Sequence, residues 1–300
     1  MSTITVVIPT LGVRSSLNDV VNTMHSQTRQ IDIVRVMTGH DTFYEKMMHA
    51  VAECTTDYIA FVDDDAMMPL VWVEALSSRL DVDQDLGYVG GSAIPFVDAM
   101  SSPKEVAIAA VQSSYLGSFR MADRSQLSDE SKRGEHGLTG IGVYRTNVLK
   151  DILFEHNARV PRSAWEIFVF DRIRMRGMKT GYESMGSFYH KPRNNLKEFF
   201  ITTFRSGVGR INFYKTDRKA LAHSPYTMIP SVFLLYILTI PITHYYIPLV
   251  AYGTAMLISW ASQANHLRGA SNLWYPVATF IGHIGYGLGF LRGLFSNDRW

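Results

Sequence analysis

The chain has 300 residues, a formal net charge of +2 and a single cysteine, and these three facts limit its architecture and its partners. This length accommodates one large domain or two modest domains. The first 219 residues carry equal numbers of basic and acidic side chains. No nucleic-acid partner is expected, because binding to nucleic acid requires concentrated positive charge. The single cysteine, Cys54, excludes an intrachain disulfide and a zinc site built from several thiolates.

Three segments of β character alternate with two segments of helical character in the first 65 residues. The strand-like segments are 3–8, 31–37 and 57–62, and the helical segments are 15–27 and 44–53. This alternation is typical of a parallel α/β sheet, in which the loops after the strands form the ligand site. We therefore expect the loops 9–12, 39–41 and 63–65 to meet at one edge of the sheet. The first segment lacks the pattern of a signal peptide, so we expect the domain to be cytoplasmic.

Three consecutive acids, Asp63, Asp64 and Asp65, form the most informative motif of the chain. They follow the apolar run 58–62, which suits a strand buried on both faces. Adjacent carboxylates at the end of such a strand repel one another, and a hard divalent cation such as Mn2+ or Mg2+ would neutralise them. The alternative is a solvated acidic turn. Convergence of three loops at this edge favours the metal site.

The pattern beyond residue 65 predicts further elements of the same domain. We expect a helix over 69–80, glycine-marked strands over 87–95 and 137–145, and a helix over 163–177 that begins near Glu166. A carboxylate in the first turn of a helix is favoured by the helix dipole, with or without a catalytic role. The polar segment 120–133 is typical either of a lid over an active site or of a surface insertion.

The carboxyl-terminal third is nearly free of charge. Basic residues exceed acidic ones over 191–219, where Phe200, Phe204 and Val208 recur at helical spacing. That pattern indicates an amphipathic helix on an anionic membrane surface, or a helix packed on the protein's own core. Residues 220–267 contain no Lys, Arg, Asp or Glu. Because about 20 apolar residues span a bilayer, we predict two to three transmembrane spans, at 226–242, 245–262 and 269–291. The glycines of the third suit close helix packing.

Taken in order, the motifs resemble those of family 2 glycosyltransferases of the GT-A fold, over about residues 3–215. The resemblance rests on Val6-Val-Ile-Pro-Thr10, on the strand ending in Asp-Asp-Asp, on the glycine strand ending at Arg145 and on the helix of Glu166. It is greatest for membrane-anchored members such as succinoglycan-type polysaccharide transferases and archaeal mannosyltransferases. It implies an α/β GT-A catalytic domain, with a mostly parallel sheet flanked by helices, over 1–190. A juxtamembrane amphipathic helix region over 191–219 and α-helical transmembrane spans over 220–300 would follow.

The resemblance also implies which residues hold the metal and the nucleotide. Asp63 and Asp65 match the two metal-binding acids of the family, and His190 matches a histidine that is a third ligand in some members. A structural role for His190 is the alternative. The metal would be Mn2+ or Mg2+. The residues that would border the nucleotide or its ribose are Pro9, Thr10, Asp41 and Asp64.

Glu166 matches the general base of the family, although the acid that usually precedes this base is Trp165 in this chain. Asp171 is the alternative base. Arg205 and Arg210 fall where related enzymes carry a basic motif, and they would face either the departing diphosphate or the membrane.

The implied activity is an inverting, metal-dependent transfer of a hexose, either mannose from GDP-mannose or glucose from a UDP-sugar. The acceptor would be a lipid-linked sugar or a glycolipid, and the protein would be a multi-pass protein of the cell membrane. A real base favours a hydroxyl acceptor, whereas a polyprenyl phosphate, as in synthases of the dolichyl-phosphate mannose type, is already ionised. That synthase remains an alternative. A nucleotidyltransferase would need a basic, glycine-rich first loop, and a transporter or scaffold would need polar groups within the spans, where His244 and His283 are the candidates.

Overall fold

The structure is a computed structural model, and it describes residues 2–12, 15–39, 42–127, 138–156, 160–162, 165–217, 219, 221 and 224–296. By its internal packing the chain divides into two compact units. The first unit comprises Met1–Ile94, Asp123–Val160 and Trp165–Lys191, and the second comprises Pro95–Ala122, Pro161–Ala164 and Pro192–Trp300. The second unit therefore contains the uncharged carboxyl-terminal region together with a segment from the middle of the chain.

Strands and helices alternate along the first part of the chain, and helices alone make up the last part. The described strands are β1 (Ile4–Pro9), β2 (Ile33–Met37), β3 (Tyr58–Phe61), β4 (Ala66–Met67), β5 (Leu86–Gly90), β6 (Ala93–Pro95), β7 (Gly142–Arg145), β8 (Lys179–Tyr182) and β9 (Phe188–His190). The described α-helices are α1 (Ser15–His25), α2 (Phe43–Glu53), α3 (Trp72–Val82), α4 (Pro103–Gln112), α5 (Tyr115–Ser118), α6 (Thr146–Leu153), α7 (Trp165–Met175), α8 (Leu196–Thr216), α9 (Ile229–Thr243), α10 (Ile247–Ser262) and α11 (Ser271–Phe295).

A mixed sheet of six strands, in the order β2-β1-β3-β7-β5-β8, forms the centre of the first unit. β1 is parallel to β2 and β3, and β5 is parallel to β8, whereas β7 is antiparallel to both of its neighbours. The βαβαβ alternation predicted over the first 65 residues is thus confirmed. The reversed strand β7 follows a long excursion of the chain rather than a crossover helix from its neighbour, so the rule that governs parallel crossovers does not fix its direction.

The core of the first unit explains why β1 and β3 read as continuous apolar runs. Ile4, Val6 and Ile8 of β1 belong to one cluster with side chains of α1 and α3, which cover this face of the sheet. On β3, Phe61 packs with its ring 5.7 Å from that of Trp165 in α7. Helices therefore cover both faces, as the unbroken apolar pattern predicts.

The second unit is built around α11. Its buried positions include Tyr275, Ala278 and Gly282, and the apolar cluster around them takes in side chains of α4, α8 and α10. Glycines of α11 lie at the contact with α8, as their number in the sequence predicted: a Cβ added to Gly289 would overlap the carbonyl oxygen of Phe204. On α8, Gly207 is equally close to the Tyr286 carbonyl. The predicted helix over 191–219 thus packs on another helix of the same chain.

We expect Gly207→Ala to lower the free energy of unfolding by about 1–3 kcal/mol, because the added methyl group forces α8 away from the α11 backbone. Gly253→Ala in α10 is the matched control, since no atom lies within 4 Å of a Cβ added at Gly253. There alanine raises helix propensity by about 1 kcal/mol without a clash. Chemical unfolding in detergent checks both variants. Equal effects of the two substitutions would contradict the close helix contact.

The helices predicted at 226–242, 245–262 and 269–291 are all confirmed as helices. Among the described residues one helical segment, Pro225–Thr243, is 19 residues long and apolar enough to cross a membrane. α10 is apolar but shorter, and α11 lies largely buried inside the second unit. Whether these helices cross a membrane stays a prediction.

Candidate active site

The acidic motif occupies a tight turn at the carboxyl end of β3. The backbone amide of Ala66 donates to the carbonyl oxygen of Asp63 at 3.2 Å, which reverses the chain before β4 begins. The turn separates the three carboxylates, because Asp64 is buried whereas Asp63 and Asp65 are partly exposed. Only the outer two acids are therefore accessible from the sheet edge.

A short strand pairing brings His190 to these two acids. Ala66 of β4 lies opposite His190 of β9 in an antiparallel bridge, so the residue just before Ala66 lies beside the imidazole. His190 Nε2 is 2.9 Å from Asp65 Oδ1 and 3.8 Å from Asp63 Oδ2. Ligand atoms of the three side chains all lie within 4.8 Å of one another.

These separations fit three ligands of one divalent cation. At metal–ligand distances of about 2.1 Å, two ligand atoms of an octahedral ion lie about 3.0 Å apart when adjacent and about 4.2 Å apart when opposite. The distances from the His190 nitrogen to the acids, 2.9 Å and 3.8 Å, fall within this range. Carboxylates suit Mg2+ and Mn2+, and an imidazole in the set favours Mn2+ over Mg2+. The geometry and the chemistry of this donor set are thus compatible with the predicted metal.

Asp64 contacts the first loop instead of the outer acids. The hydroxyl of Thr10 donates to Asp64 Oδ2 at 2.6 Å, and both side chains are buried. Thr10 directly follows Pro9, the last residue of β1. This hydrogen bond ties the carboxyl ends of β1 and β3 together, so Asp64 stabilises the sheet edge that holds the metal ligands.

A buried lysine, which the sequence analysis did not single out, connects the first two loops. The Lys46 ammonium in α2 donates to the backbone carbonyls of Thr10 and of Gly39, the latter at 3.0 Å. α2 begins with a capping box formed by Thr42 and Glu45, which fixes the start of the helix just before Lys46. The loops 9–12 and 39–41 were predicted to meet the acidic motif, and Lys46 and Asp64 are the contacts that bring them there.

We expect Lys46→Met to lower the free energy of unfolding by about 1–3 kcal/mol, because two loop carbonyls lose their donor. Lys179→Met is the matched control. Lys179 has a side chain that is 65% exposed and pairs with Asp85 at the surface, so its replacement should change stability by less than about 0.5 kcal/mol. Urea denaturation followed by tryptophan fluorescence measures both. A Lys46→Met variant as stable as the control would contradict a role in holding the loops.

Glu166 lies at the same edge of the sheet as the acidic motif. Gly142 of β7 pairs with Phe61 of β3, so the residues that precede β7 lie beyond the carboxyl end of β3. One of these residues is Gly140, and a Cβ added there would be 3.2 Å from the Cβ of Glu166. The neighbouring Trp165 is buried against Phe61, which anchors the first turn of α7 in this place.

Two buried tyrosines form the floor beneath Glu166. Burial raises the pKa of Tyr88 and of Tyr144, the Glu166 charge raises each pKa further, and the Arg124 guanidinium lowers it. The Tyr88 hydroxyl also donates to the carbonyl of Ile141 at 3.0 Å. Both phenols therefore stay protonated at neutral pH and cannot act as a base, which leaves the Glu166 carboxylate as the base candidate on this wall.

The other predicted residues lie elsewhere. Asp171, the alternative base, is on α7 and pairs with Arg174 at 3.3 Å, so it has a structural partner within its own helix. Arg205 and Arg210 are on α8 of the second unit, where Arg205 is exposed and Arg210 is half-buried. Asp41 lies outside the described residues, as does most of the predicted lid segment.

A signal for Lys46 was present in the sequence. Lys46, Met47 and Ala50 fall on one side of a helix whose other positions are polar, and a lysine on an apolar face must find acceptors when the face is buried. Arg124 and Tyr88 carried no such signal, because a residue in a polar segment and a residue in a glycine-marked strand fit many environments.

Comparison with known proteins gives likeness at the level of structure alone. No family model matches the sequence, and no curated protein matches it either. A structure of glucosyl-3-phosphoglycerate synthase from Mycobacterium tuberculosis with Mn2+, UDP-glucose and phosphoglyceric acid is 14% identical. The match covers 72% of this chain and 79% of that chain, with a TM-score of 0.47. The structure of that synthase with Mg2+ and UDP is 15% identical over 67% of this chain and 75% of that chain, with a TM-score of 0.44.

A third structure, of a mycobacterial protein, is 16% identical over 72% of this chain and 74% of that chain, with a TM-score of 0.48. TM-scores below 0.5 at this identity establish neither a shared family nor a shared activity. The function of this chain must be argued from its own site.

Proposed function

We propose that this protein is a metal-dependent glycosyltransferase that takes its sugar from a nucleotide-sugar donor. The observation that carries the proposal is the position of the ligand set Asp63, Asp65 and His190 at the carboxyl end of β3. β1 lies between β2 and β3, so the connections that follow β1 and β2 run in opposite directions across the sheet. Open α/β sheets bind nucleotides in the crevice at such a reversal. A diphosphate in that crevice would lie between Thr10 and the ligand set.

The residues of this edge have distinct roles in the proposal. Asp63, Asp65 and His190 would hold Mn2+ or Mg2+, which supplies positive charge to the diphosphate as it leaves. The pairing of β9 with β4 keeps His190 in place. Thr10 and Lys46 hold the loop that borders the nucleotide, so the donor meets an edge that is already ordered.

Glu166 would act as the general base. Its carboxylate takes the proton of the acceptor hydroxyl while that oxygen bonds to the anomeric carbon and the bond from this carbon to the diphosphate breaks, with inversion. A positioned base contributes about 10²- to 10⁴-fold to such a step. What supports Glu166 is its place in the first turn of α7, beyond the end of β3, above two phenols that remain protonated.

We further propose a hexose donor, GDP-mannose or a UDP-sugar, and a lipid-borne acceptor with a hydroxyl group. The uncharged helices of the second unit support a membrane location, where anchoring raises the effective concentration of such an acceptor. A base favours a hydroxyl over a polyprenyl phosphate, which is already ionised. Asp41 as a ribose contact, and Arg205 and Arg210 as contacts of the departing diphosphate, belong to the same proposal.

Thermal unfolding of the purified protein with a panel of nucleotides tests the proposal. The panel contains GDP-mannose, UDP-glucose, UDP, GDP and CTP, each with MnCl2 and with EDTA. We expect a rise in the unfolding temperature with one nucleotide-sugar and its diphosphate, and only with Mn2+, because a ligand stabilises the state that binds it. Stabilisation by CTP alone would point to a nucleotidyltransferase, and no stabilisation by any nucleotide would contradict the proposed function.

A further inference from the structure

α9 and α10 form a helical hairpin whose connection, residues 244–246, lies far from the helix ends that join the rest of the second unit. The two helices pack on each other, with the rings of Phe233 and Tyr252 stacked at 4.4 Å. Nearer the connection, the Tyr236 hydroxyl donates to the carbonyl of Tyr245 at 2.7 Å. The hairpin is thus held together along its own length.

Only the base of the hairpin is attached to α11. The carbonyl of Pro230 and the side chain of Leu234 lie against Gly287 of α11, and the Ser259 hydroxyl is 2.6 Å from that of Tyr275. Beyond this base lies the hairpin tip, which we define as residues 235–251. All of these residues are described, and none of them is buried.

The hairpin tip exposes apolar side chains on a scale that water does not favour. Leu238 is 73% exposed, Ile242 84% and Val250 66%. Contiguous apolar surface of this kind marks a membrane or protein contact. The tip contains no Lys, Arg, Asp or Glu, and neither does the whole interval 220–267.

Polar groups of the tip are satisfied within the hairpin. The hydroxyl of Thr239 donates to the Tyr236 carbonyl at 2.7 Å, and the hydroxyl of Thr243 donates to the Thr239 carbonyl at 3.0 Å. The amide of His244 donates to the carbonyl of Ile240 at 2.9 Å. Internal satisfaction of polar groups is what hydrocarbon requires and what a protein interface does not require.

Charges at the two ends of the uncharged interval fit an anionic bilayer surface. Lys219 precedes the interval and Arg268 follows it, and both residues are exposed. Basic residues beside an inserted segment are attracted to anionic head groups. Trp260, near the base of the hairpin, is of the type that prefers the boundary between head groups and acyl chains.

The length of the tip limits how deep it reaches. From Leu235 to Thr243 the helix rises about 13 Å at 1.5 Å per residue, and the turn adds a few ångström. This is about half of the roughly 30 Å hydrocarbon core. The base cannot add to this length, because residues 230–234 are packed against α11, and α11 in turn packs on α8, which carries the exposed Arg205.

We propose that the hairpin tip inserts into one leaflet of a bilayer with anionic head groups, and that α11 is the core helix of the second unit rather than a third span. The protein is then monotopic, and both ends of the hairpin lie on the same side of the membrane. The insertion stands independently of the catalytic proposal, but its use, to bring the catalytic domain to a lipid-borne acceptor, rests on the proposed transferase function.

Depth-dependent quenching tests the insertion in the full-length protein. Cys54→Ser removes the only cysteine, and Thr243→Cys then places a fluorophore at the tip. Bound to vesicles of phosphatidylcholine and phosphatidylglycerol, this fluorophore should be quenched more by spin labels near the ends of the acyl chains than by labels near the head groups. A thiol reagent enclosed in the vesicles should leave an unlabelled Thr243→Cys unmodified. Asp85→Cys, in the first unit, is the control and should show no quenching.

Three results would overturn the proposal. Modification of Thr243→Cys by the enclosed reagent would show that the hairpin spans the bilayer. Absence of vesicle binding and quenching would exclude insertion, and a dimer in detergent-free solution that buries the tip would show that a second copy covers it. None of these measurements uses a sugar nucleotide, so their failure is distinct from failure of the transferase proposal.

Substitutions in the tip give a second readout. Leu238→Asn combined with Ile242→Asn should weaken partition into these vesicles at least about tenfold, because two buried apolar side chains become polar. Val82→Asn in α3 is the matched control, since Val82 is an exposed apolar residue of the first unit. Equal partition of the two variants would contradict insertion of the tip.

Discussion

Asp65→Asn should reduce the release of nucleoside diphosphate from the sugar-nucleotide donor by about 10³-fold, which corresponds to about 4 kcal/mol of transition-state stabilisation. Asp65 lies nearest to His190, at 2.9 Å, so the substitution removes the charge from the central pair of the ligand set. A neutral amide in this position binds Mn2+ weakly and offsets less of the charge on the leaving group. Initial rates at saturating Mn2+, measured as diphosphate released, give the effect.

Asp85→Asn is the control for the Asp65 substitution. Asp85 pairs with Lys179 at the surface of the first unit and lies just before β5, at the opposite end of the strands that carry the site. We expect this variant to keep the wild-type rate. Full activity of Asp65→Asn would show that the acidic motif does not bind the metal.

Glu166→Gln should lower kcat by about 10²- to 10⁴-fold while the KM for the donor changes little. The amide keeps the shape of the side chain and its place beside Gly140, but it cannot accept the acceptor's proton. Because donor binding depends on the metal edge and not on Glu166, binding and catalysis should separate. Steady-state kinetics with a hydroxyl acceptor, together with calorimetric titration of the donor, measure the two.

Asp171→Asn distinguishes the two base candidates. Asp171 pairs with Arg174 within α7, so this variant should lose little kcat. A large loss with Asp171→Asn and none with Glu166→Gln would reverse the assignment and make Asp171 the base.

The strands and the acidic edge could be predicted because their signals are local. The apolar run 58–62 with three acids after it fixes both a buried strand and the place where charge accumulates, and β3 ends at Phe61 as expected. Residues Thr10 and Asp64 were both assigned to this edge, and their hydrogen bond shows that the loops converge. Chain order alone supplies this kind of information.

Pairings between distant segments could not be predicted from the sequence. β4 has only two residues, and its partner β9 lies more than a hundred residues further along, so nothing local indicates that His190 reaches Asp65. The reversed direction of β7 is similarly non-local. For α8 the stripe of Phe200, Phe204 and Val208 fitted either a membrane surface or a helix partner, and only the glycine contacts with α11 select the partner.

Binding of Mn2+, measured by electron paramagnetic resonance with and without nucleoside diphosphate, tests the central claim most directly. The account predicts that the wild-type chain binds one Mn2+, that UDP or GDP tightens this binding, and that Asp63→Asn and His190→Ala each weaken it at least about tenfold. A wild-type protein that leaves all Mn2+ free even with nucleotide present, or variants that bind it as tightly as wild type, would contradict a metal site at this edge of the sheet.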